Sequence, residues 1–142
     1  MDLIVSEVKE IKGDLFTSPD SLAHCVSKDL KMGAGIAVIF KKKFGQVEEL
    51  MSQNPQVGGL VLLKEEDRTI FYLVTKEKYW YKPTYKSLES SLVALNKELE
   101  KRNINKLSIP RIGCGLDGLN WEKVKIIIQK TLPKIEVTSY YI

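Results

Sequence analysis

Pro110-Arg111-Ile112-Gly113-Cys114-Gly115-Leu116-Asp117-Gly118 lies between a short strand-like run, Lys106 to Ile109, and an amphipathic segment that begins near Asn120. The same order occurs earlier in the chain. Leu22 to Val26 is followed by Lys31-Met32-Gly33-Ala34-Gly35-Ile36-Ala37, which leads straight into another helical pattern. Glycines in such loops permit positive φ and let a ligand approach the backbone closely. The helix that follows adds unpaired amides and the positive end of its dipole, which together suit a phosphate. Either loop alone reads equally well as a tight turn. As a pair they place two amide-rich segments at one edge of a sheet, beyond the carboxyl ends of the strands, where open α/β sheets take their ligands. Two such loops can grip a pyrophosphate from either side. Neither reads G-X-G-X-X-G, so this is not the dinucleotide fingerprint. No Gly-Lys-Ser or Gly-Lys-Thr is present either, which excludes a P-loop and its magnesium-bound triphosphate.

Working outward, strand-like runs alternate with amphipathic helices, the pattern of an α/β sheet covered by helices. Strand candidates are Leu3 to Ile11, Leu22 to Val26, Gly58 to Leu63, Thr69 to Val74, Lys106 to Ile109 and Ile135 to Tyr140. The polar stretch Lys64 to Arg68 makes the third and fourth a hairpin. Helix candidates run from Gly35 to Phe44, with Ile36, Phe40 and Phe44 on one face, and from Thr84 onward, with Leu88, Leu92, Leu95 and Leu99 inward. A third starts after Asn120 and carries Trp121, Val124, Ile127, Ile128 and Leu132 inward until Pro133 stops it. Thr84 and Asn120 are N-cap residues by chemistry, since each side chain can accept from an otherwise orphan amide.

No repeat or linker divides the 142 residues, so one domain over residues 1–142 is expected, large enough to bury a core without metal or disulfide. The net charge of +4 favours anionic ligands without identifying nucleic acid, and scattered lysines also read as a solvated surface. One His and two distant cysteines, Cys25 and Cys114, lack zinc-site spacing, so no metal is expected. Asp2 and the charges after it do not read as a secretory signal. The expectation is an intracellular protein, nuclear or cytoplasmic, with reduced thiols. Apolar runs such as Gly58 to Leu63 are too short to span a bilayer.

Several motifs together resemble the macrodomain family. They are Lys12-Gly13-Asp14-Leu15-Phe16, Ser21-Leu22-Ala23-His24-Cys25, Met32 to Ala37, Lys82-Pro83-Thr84-Tyr85, and Pro110 to Asp117. They occur in order, from about Val8 to the C-terminus, and are closest in kind to the terminal ADP-ribose protein glycohydrolases of animals. The resemblance implies a three-layer α/β/α sandwich with a mixed central sheet and ADP-ribose held across the strand ends. It implies release of ADP-ribose from glutamate or aspartate esters and deacetylation of O-acetyl-ADP-ribose, with no cofactor. It implies that ADP-ribosylated proteins are the partners of a monomer, and ADP-ribosylated DNA is a substrate of some bacterial relatives. By the same resemblance Lys76 is the catalytic lysine and Asp117 its catalytic aspartate. Asp14, with Leu15 beside it, meets the adenine amine; Ser27 lies near the distal ribose. The phosphate loops fall on Gly33, Ala34, Gly35 and Ile36, and on Gly113, Cys114, Gly115 and Leu116 after Pro110. Where many macrodomains carry Asn-Ala-Ala-Asn, this chain has His24-Cys25-Val26-Ser27, which favours the lysine-dependent branch.

The chemistry fits those residue types. A lysine amine can attack the anomeric carbon of a glycosyl ester and form a Schiff base with the opened sugar. The amine must be neutral to do so, whereas a free lysine has a pKa of about 10.4, so burial or a nearby base such as Asp117 is required. Taken singly, Lys76 reads as one more solvated lysine and Asp117 as a loop cap. His24 reads as a packed strand residue and Cys25 as core. Cys114 is a conceivable thiolate nucleophile, but without a triad. Lys78-Tyr79-Trp80-Tyr81-Lys82 is either a rim loop over the site or a stacking surface for nucleobases. Tyr140 and Tyr141 line an adenine pocket or simply pack the last strand. A non-catalytic ADP-ribose reader would need the loops and Asp14, but not Lys76 and Asp117.

Overall fold

The alternation of strand-like and helical patterns resolves into a sheet covered on both faces. The computed structural model describes residues 7–142. Its strands are β1 (Lys9–Lys12), β2 (Ser21–Ser27), β3 (Leu60–Lys64), β4 (Thr69–Lys76), β5 (Lys106–Ile109) and β6 (Glu136–Tyr141). Its helices are α1 (Ile36–Phe44), α2 (Val47–Ser52), α3 (Tyr85–Lys101) and α4 (Trp121–Thr131). Among the described residues the sheet order is β1-β6-β5-β2-β4-β3. The β3–β4 hairpin is antiparallel and every other neighbouring pair is parallel, which is the expected mixed sheet. Of the strand expected over Leu3 to Ile11, residues 3–6 lie outside the described residues, and pairing begins at Lys9.

Because side chains alternate along a strand, β4 feeds two cores. Ile70, Tyr72 and Val74 join Leu22 and Val26 of β2 beneath Phe40 of α1 and Leu50 of α2. Phe71 and Leu73 join Ala23, Leu107 and Val137 on the opposite face, under the leucine stripe of α3 and Val124 and Ile128 of α4. A strand covered on both sides reads as a continuous apolar run, which is what Ile70 to Val74 does. The helix-borne side chains lie where their 3.6-residue period puts them: Leu88, Leu92, Leu95 and Leu99 are all buried.

The helix starts follow from side-chain chemistry. Thr84 Oγ1 accepts from the Ser87 amide at 3.0 Å, and Ser87 Oγ accepts from the Thr84 amide at 3.1 Å, a reciprocal box at the start of α3. Ser87 Oγ also donates to the carbonyl of Thr75 at 2.7 Å, tying that helix to the end of β4. Asn120 Oδ1 accepts from the Lys123 amide at 3.1 Å and starts α4. The short helix α2 is absent from the sequence reading. It begins after Gln46, which sits in the left-handed region at φ 53°, and six residues are too few to establish a helical period.

Candidate active site

All five parallel strands end at one edge. Between β2 and β5 the pairing covers only Ser21–Leu107 and Leu22–Ser108; β2 then continues while β5 gives way to Pro110, and the sheet parts. The loop after β2 leads to α1 over one face, and the loop after β5 leads to α4 over the other. This divergence is the topological switch point at which open α/β sheets hold ligands. A cleft of about 790 Å³ occupies it, a volume suited to a small-molecule ligand. It is lined by Ser27, the loop Gly33 to Ile36, Lys76, and the loop Pro110 to Asp117.

At its centre Lys76 Nζ lies 2.8 Å from Asp117 Oδ1, although 41 residues separate them. Their side chains are only 14% and 19% exposed, so much of each group's water shell has been replaced by protein. The register of β2 against β4 slips between Val26 and Ser27, leaving Ser27 opposite Lys76. Irregularities of this kind re-aim a side chain at a strand end. The Lys76 carbonyl accepts from the Lys28 amide at 2.8 Å, which fixes the backbone below the amine.

The first loop is held by packing and by one carboxylate. Leu30 and Met32 both take left-handed backbone, at φ 52° and 47°, and both are buried, which offsets the strain. Gly35 has φ 60° and ψ −148°, a region closed to residues with a Cβ, and it starts α1 with no side-chain cap. Asp29 accepts from Ser27 Oγ, from the Lys31 amide at 3.1 Å and from the Tyr79 amide at 3.0 Å. Burial alone would raise the Asp29 carboxyl, but these hydrogen bonds and the charge of Lys31 hold it below the usual carboxylate range. Asp29 belongs to none of the sequence motifs, but its spacing from Ser27 and Lys31 is the pattern of an Asx turn.

The second loop turns at Gly113, φ 73°, where a Cβ would lie 2.9 Å from Leu119 Cδ1. Its Arg111 stacks over Tyr141, 4.5 Å from the ring centroid, and donates to Glu10 Oε1 at 3.3 Å. The same Glu10 accepts from Trp121 Nε1 at 2.9 Å and from Lys125 at 3.2 Å. The Trp121 bond is the largest of the effects that hold its carboxyl low, and it prevails over a partial burial that opposes it. This carboxylate therefore joins β1, the second loop and α4, a role not visible in the sequence.

The other candidate groups also have definite places. Asp14 follows β1 at the same edge and is exposed, its Oδ1 accepting from the Phe16 amide at 2.9 Å. Leu15 points into the core at 3% exposure, and Tyr140 is half-buried with its ring close to Gly13. These three lie outside the cleft lining, at the β1–β6 end of the edge. Cys25, expected in the core, packs on the α3–α4 core and also reaches the cleft lining. Burial, reinforced by the charge of Asp117, pushes its thiol up to about 12, and burial also raises Cys114. Neither is poised as a thiolate. His24 is a packed strand residue, stacked 3.7 Å from Phe40, and burial lowers its pKa to about 3. Among the described residues no group of three or more His, Cys, Asp or Glu side chains is placed to hold a metal ion. No helix among them is long and apolar enough to cross a membrane.

A mixed sheet split at a switch point, with two glycine loops across the gap, defines a macrodomain. Residues 23–128 match the Macro domain family, and the chain belongs to it. It is 49% identical to the ADP-ribose glycohydrolase OARD1 of Homo sapiens over 139 residues, covering 95% of this chain and 91% of that one. Among solved structures it is similar to the macrodomain of Thermus aquaticus DarG, with 25% identity and a TM-score of 0.84, covering 96% and 99% of the two chains. It is also similar to Thermosipho africanus DarTG in complex with ADP-ribose, at 26% identity and a TM-score of 0.80, covering 94% of this chain and 41% of that one.

Proposed function

We propose that the protein is an ADP-ribose hydrolase that releases ADP-ribose from glutamate and aspartate esters, with Lys76 as nucleophile and Asp117 as its proton partner. The contact that carries this reading is the 2.8 Å approach of Lys76 Nζ to Asp117 Oδ1 between the two glycine loops. A reader of ADP-ribose needs the loops, but it has no use for a partly desolvated amine–carboxylate pair at the sugar end.

In this reading the loops Gly33 to Ile36 and Gly113 to Leu116 hold the diphosphate through backbone amides, and Asp14 and Tyr140 lie toward the adenine. Asp117 takes a proton from Lys76. The neutral amine attacks the anomeric carbon, the carbon–oxygen bond to the acceptor breaks, and the side chain leaves as a carboxylate. The ring oxygen then takes a proton from the attached nitrogen by way of Asp117, and the ring opens to a protonated Schiff base. Water adds to the same carbon, the amine is expelled, and ADP-ribose closes and departs. A small acyl ester on the distal ribose enters the same cleft, so O-acetyl-ADP-ribose is a second substrate.

The test is release of ADP-ribose from a glutamate-linked substrate, with cyanoborohydride added to trap the imine. Wild type turns over and gains one ADP-ribosyl adduct, located on Lys76 by mass spectrometry. Lys76→Ala and Asp117→Ala lose on the order of 100-fold or more in rate, the scale of a lost acid–base group. Tight binding without turnover in wild type would establish a reader instead.

A further inference from the structure

The segment that follows Lys76 carries more than the nucleophile requires. Tyr79, Trp80 and Tyr81 stand side by side at 52%, 61% and 48% exposure, three large rings open to solvent at the mouth of the cleft. They are not a loose loop. The Tyr79 amide is held by Asp29, the Tyr81 amide donates to the Lys78 carbonyl at 2.9 Å, and Lys82 Nζ donates to the carbonyl of Leu116. The arch is thus fastened to the segment ahead of the first glycine loop and to the second loop itself. Exposed aromatics on a fastened backbone mark a contact surface.

Position determines what the arch meets. The adenine end of the edge lies at β1 and β6, and β5 and β2 separate it from Lys76 at the end of β4. Residues 79–82 line the mouth of the cleft beside Lys76, the end at which an acceptor joined to the anomeric carbon has to be accommodated. The arch lines the Lys76 end of the cleft, so in this reading it meets the acceptor that carries ADP-ribose as well as the distal sugar.

We infer that Lys78-Tyr79-Trp80-Tyr81, with Lys31, is an acceptor-reading subsite that selects modified glutamate or aspartate residues lying within acidic stretches of polypeptide. This inference rests on the proposed hydrolase reading. Ring geometry and charge favour a peptide over a nucleobase stack. Adjacent rings are close to perpendicular, 87° for Tyr79–Trp80 and 89° for Trp80–Tyr81, so they offer no parallel ladder for successive bases. Two ring faces already carry ammonium groups, Lys31 over Tyr79 and Lys78 over Trp80, each 5.8 Å from the centroid. The exposed rings thus carry two cations beside them, which complement carboxylates. Among the described residues no carboxylate lies within ion-pair distance of Lys78, while Lys31 is offset in part by Asp29, whose carboxyl its charge helps to hold low.

The experiment compares kcat/KM on three substrates: an ADP-ribosyl glutamate peptide flanked by glutamates, the same peptide flanked by glutamines, and O-acetyl-ADP-ribose. Wild type, Lys78→Gln and Trp80→Ala are each measured. Wild type prefers the acidic peptide, and Lys78→Gln lowers the ratio of acidic peptide to acetyl ester about fivefold, the scale of one exposed charge pair. Trp80→Ala lowers the same ratio. Equal rates on the two peptides in wild type, or equal losses on all three substrates in the variants, overturn the inference. So does an ADP-ribosylated oligonucleotide whose turnover depends on Trp80 more than that of the acidic peptide. Affinity is measured in parallel, as the Kd of the acidic conjugate against that of free ADP-ribose in Lys76→Ala. If wild type hydrolyses nothing but the acidic conjugate still binds more tightly, and Lys78→Gln removes that advantage, the hydrolase reading falls and the acceptor subsite stands. If the conjugate and free ADP-ribose bind alike, the subsite falls.

Discussion

His24 is the only histidine in the chain, so its protonation can be followed without ambiguity. Its ring is stacked on Phe40, edge-on to Tyr72 at 4.9 Å, and neither nitrogen has a hydrogen-bond partner. Burial lowers its pKa to about 3 in the folded protein, against about 6.5 in an unfolded chain. Above about 6.5 both states are neutral and the ring adds no pH dependence. Between the two values the unfolded chain binds a proton that the folded protein refuses, so stability falls as pH falls, by about 1.4 kcal/mol per unit. From pH 7.5 to pH 4.5 the accumulated loss is about 3 kcal/mol. His24→Leu keeps similar volume and removes the proton uptake. Urea unfolding of the tag-free proteins at pH 7.5 and pH 4.5 measures the difference: the gap between variant and wild type should widen by that amount at the lower pH. The imidazole carbon-bound proton, observed by NMR, should hold a constant shift over the same range. A ring that titrates near 6.5 while the protein stays folded, or identical pH dependence in the two proteins, would refute the argument. It would also reopen a proton-transfer role for His24 that its burial denies.

Gly113→Ala places a methyl group 2.9 Å from Leu119 Cδ1 at a φ of 73°; stability should fall by about 1–3 kcal/mol, with weaker ADP-ribose binding by calorimetry. Thr84→Ala removes one half of the box that starts α3 and should cost about 1 kcal/mol in denaturant unfolding. Asp29→Ala strands the Ser27 hydroxyl and the amides of Lys31 and Tyr79; ADP-ribose affinity should drop, and exchange of the Tyr79 amide with solvent should accelerate.

Much of this architecture can be read directly from residue patterns. The leucine stripe of α3, the caps at Thr84 and Asn120, and the hairpin at residues 64–69 each express local rules that tertiary packing then agrees with. The glycine loops were legible because glycine at a strand–helix junction is a backbone requirement, not a packing preference. Lys76 and Asp117 were legible only through the resemblance, since nothing local distinguishes one lysine or one loop aspartate from its neighbours. Glu10 is not legible because its donors lie more than 100 residues away, and Asp29 shows in sequence only its local turn, since its donor at Tyr79 lies 50 residues on. The core packing of Cys25 is legible in its strand, but the opening beside it exists only once β2 and β5 part.

That parting has a mechanical consequence. The two glycine loops rise from neighbouring strands, one leading to α1 over one face of the sheet and the other to α4 over the opposite face, and beyond Leu22–Ser108 no main-chain pairing among the described residues joins β2 to β5. A molecule gripped by both glycine loops acts as a rivet across the seam. Bound ADP-ribose should then raise the stability of the whole folded chain, so a lesion deep in either helical layer is offset by a ligand that touches neither.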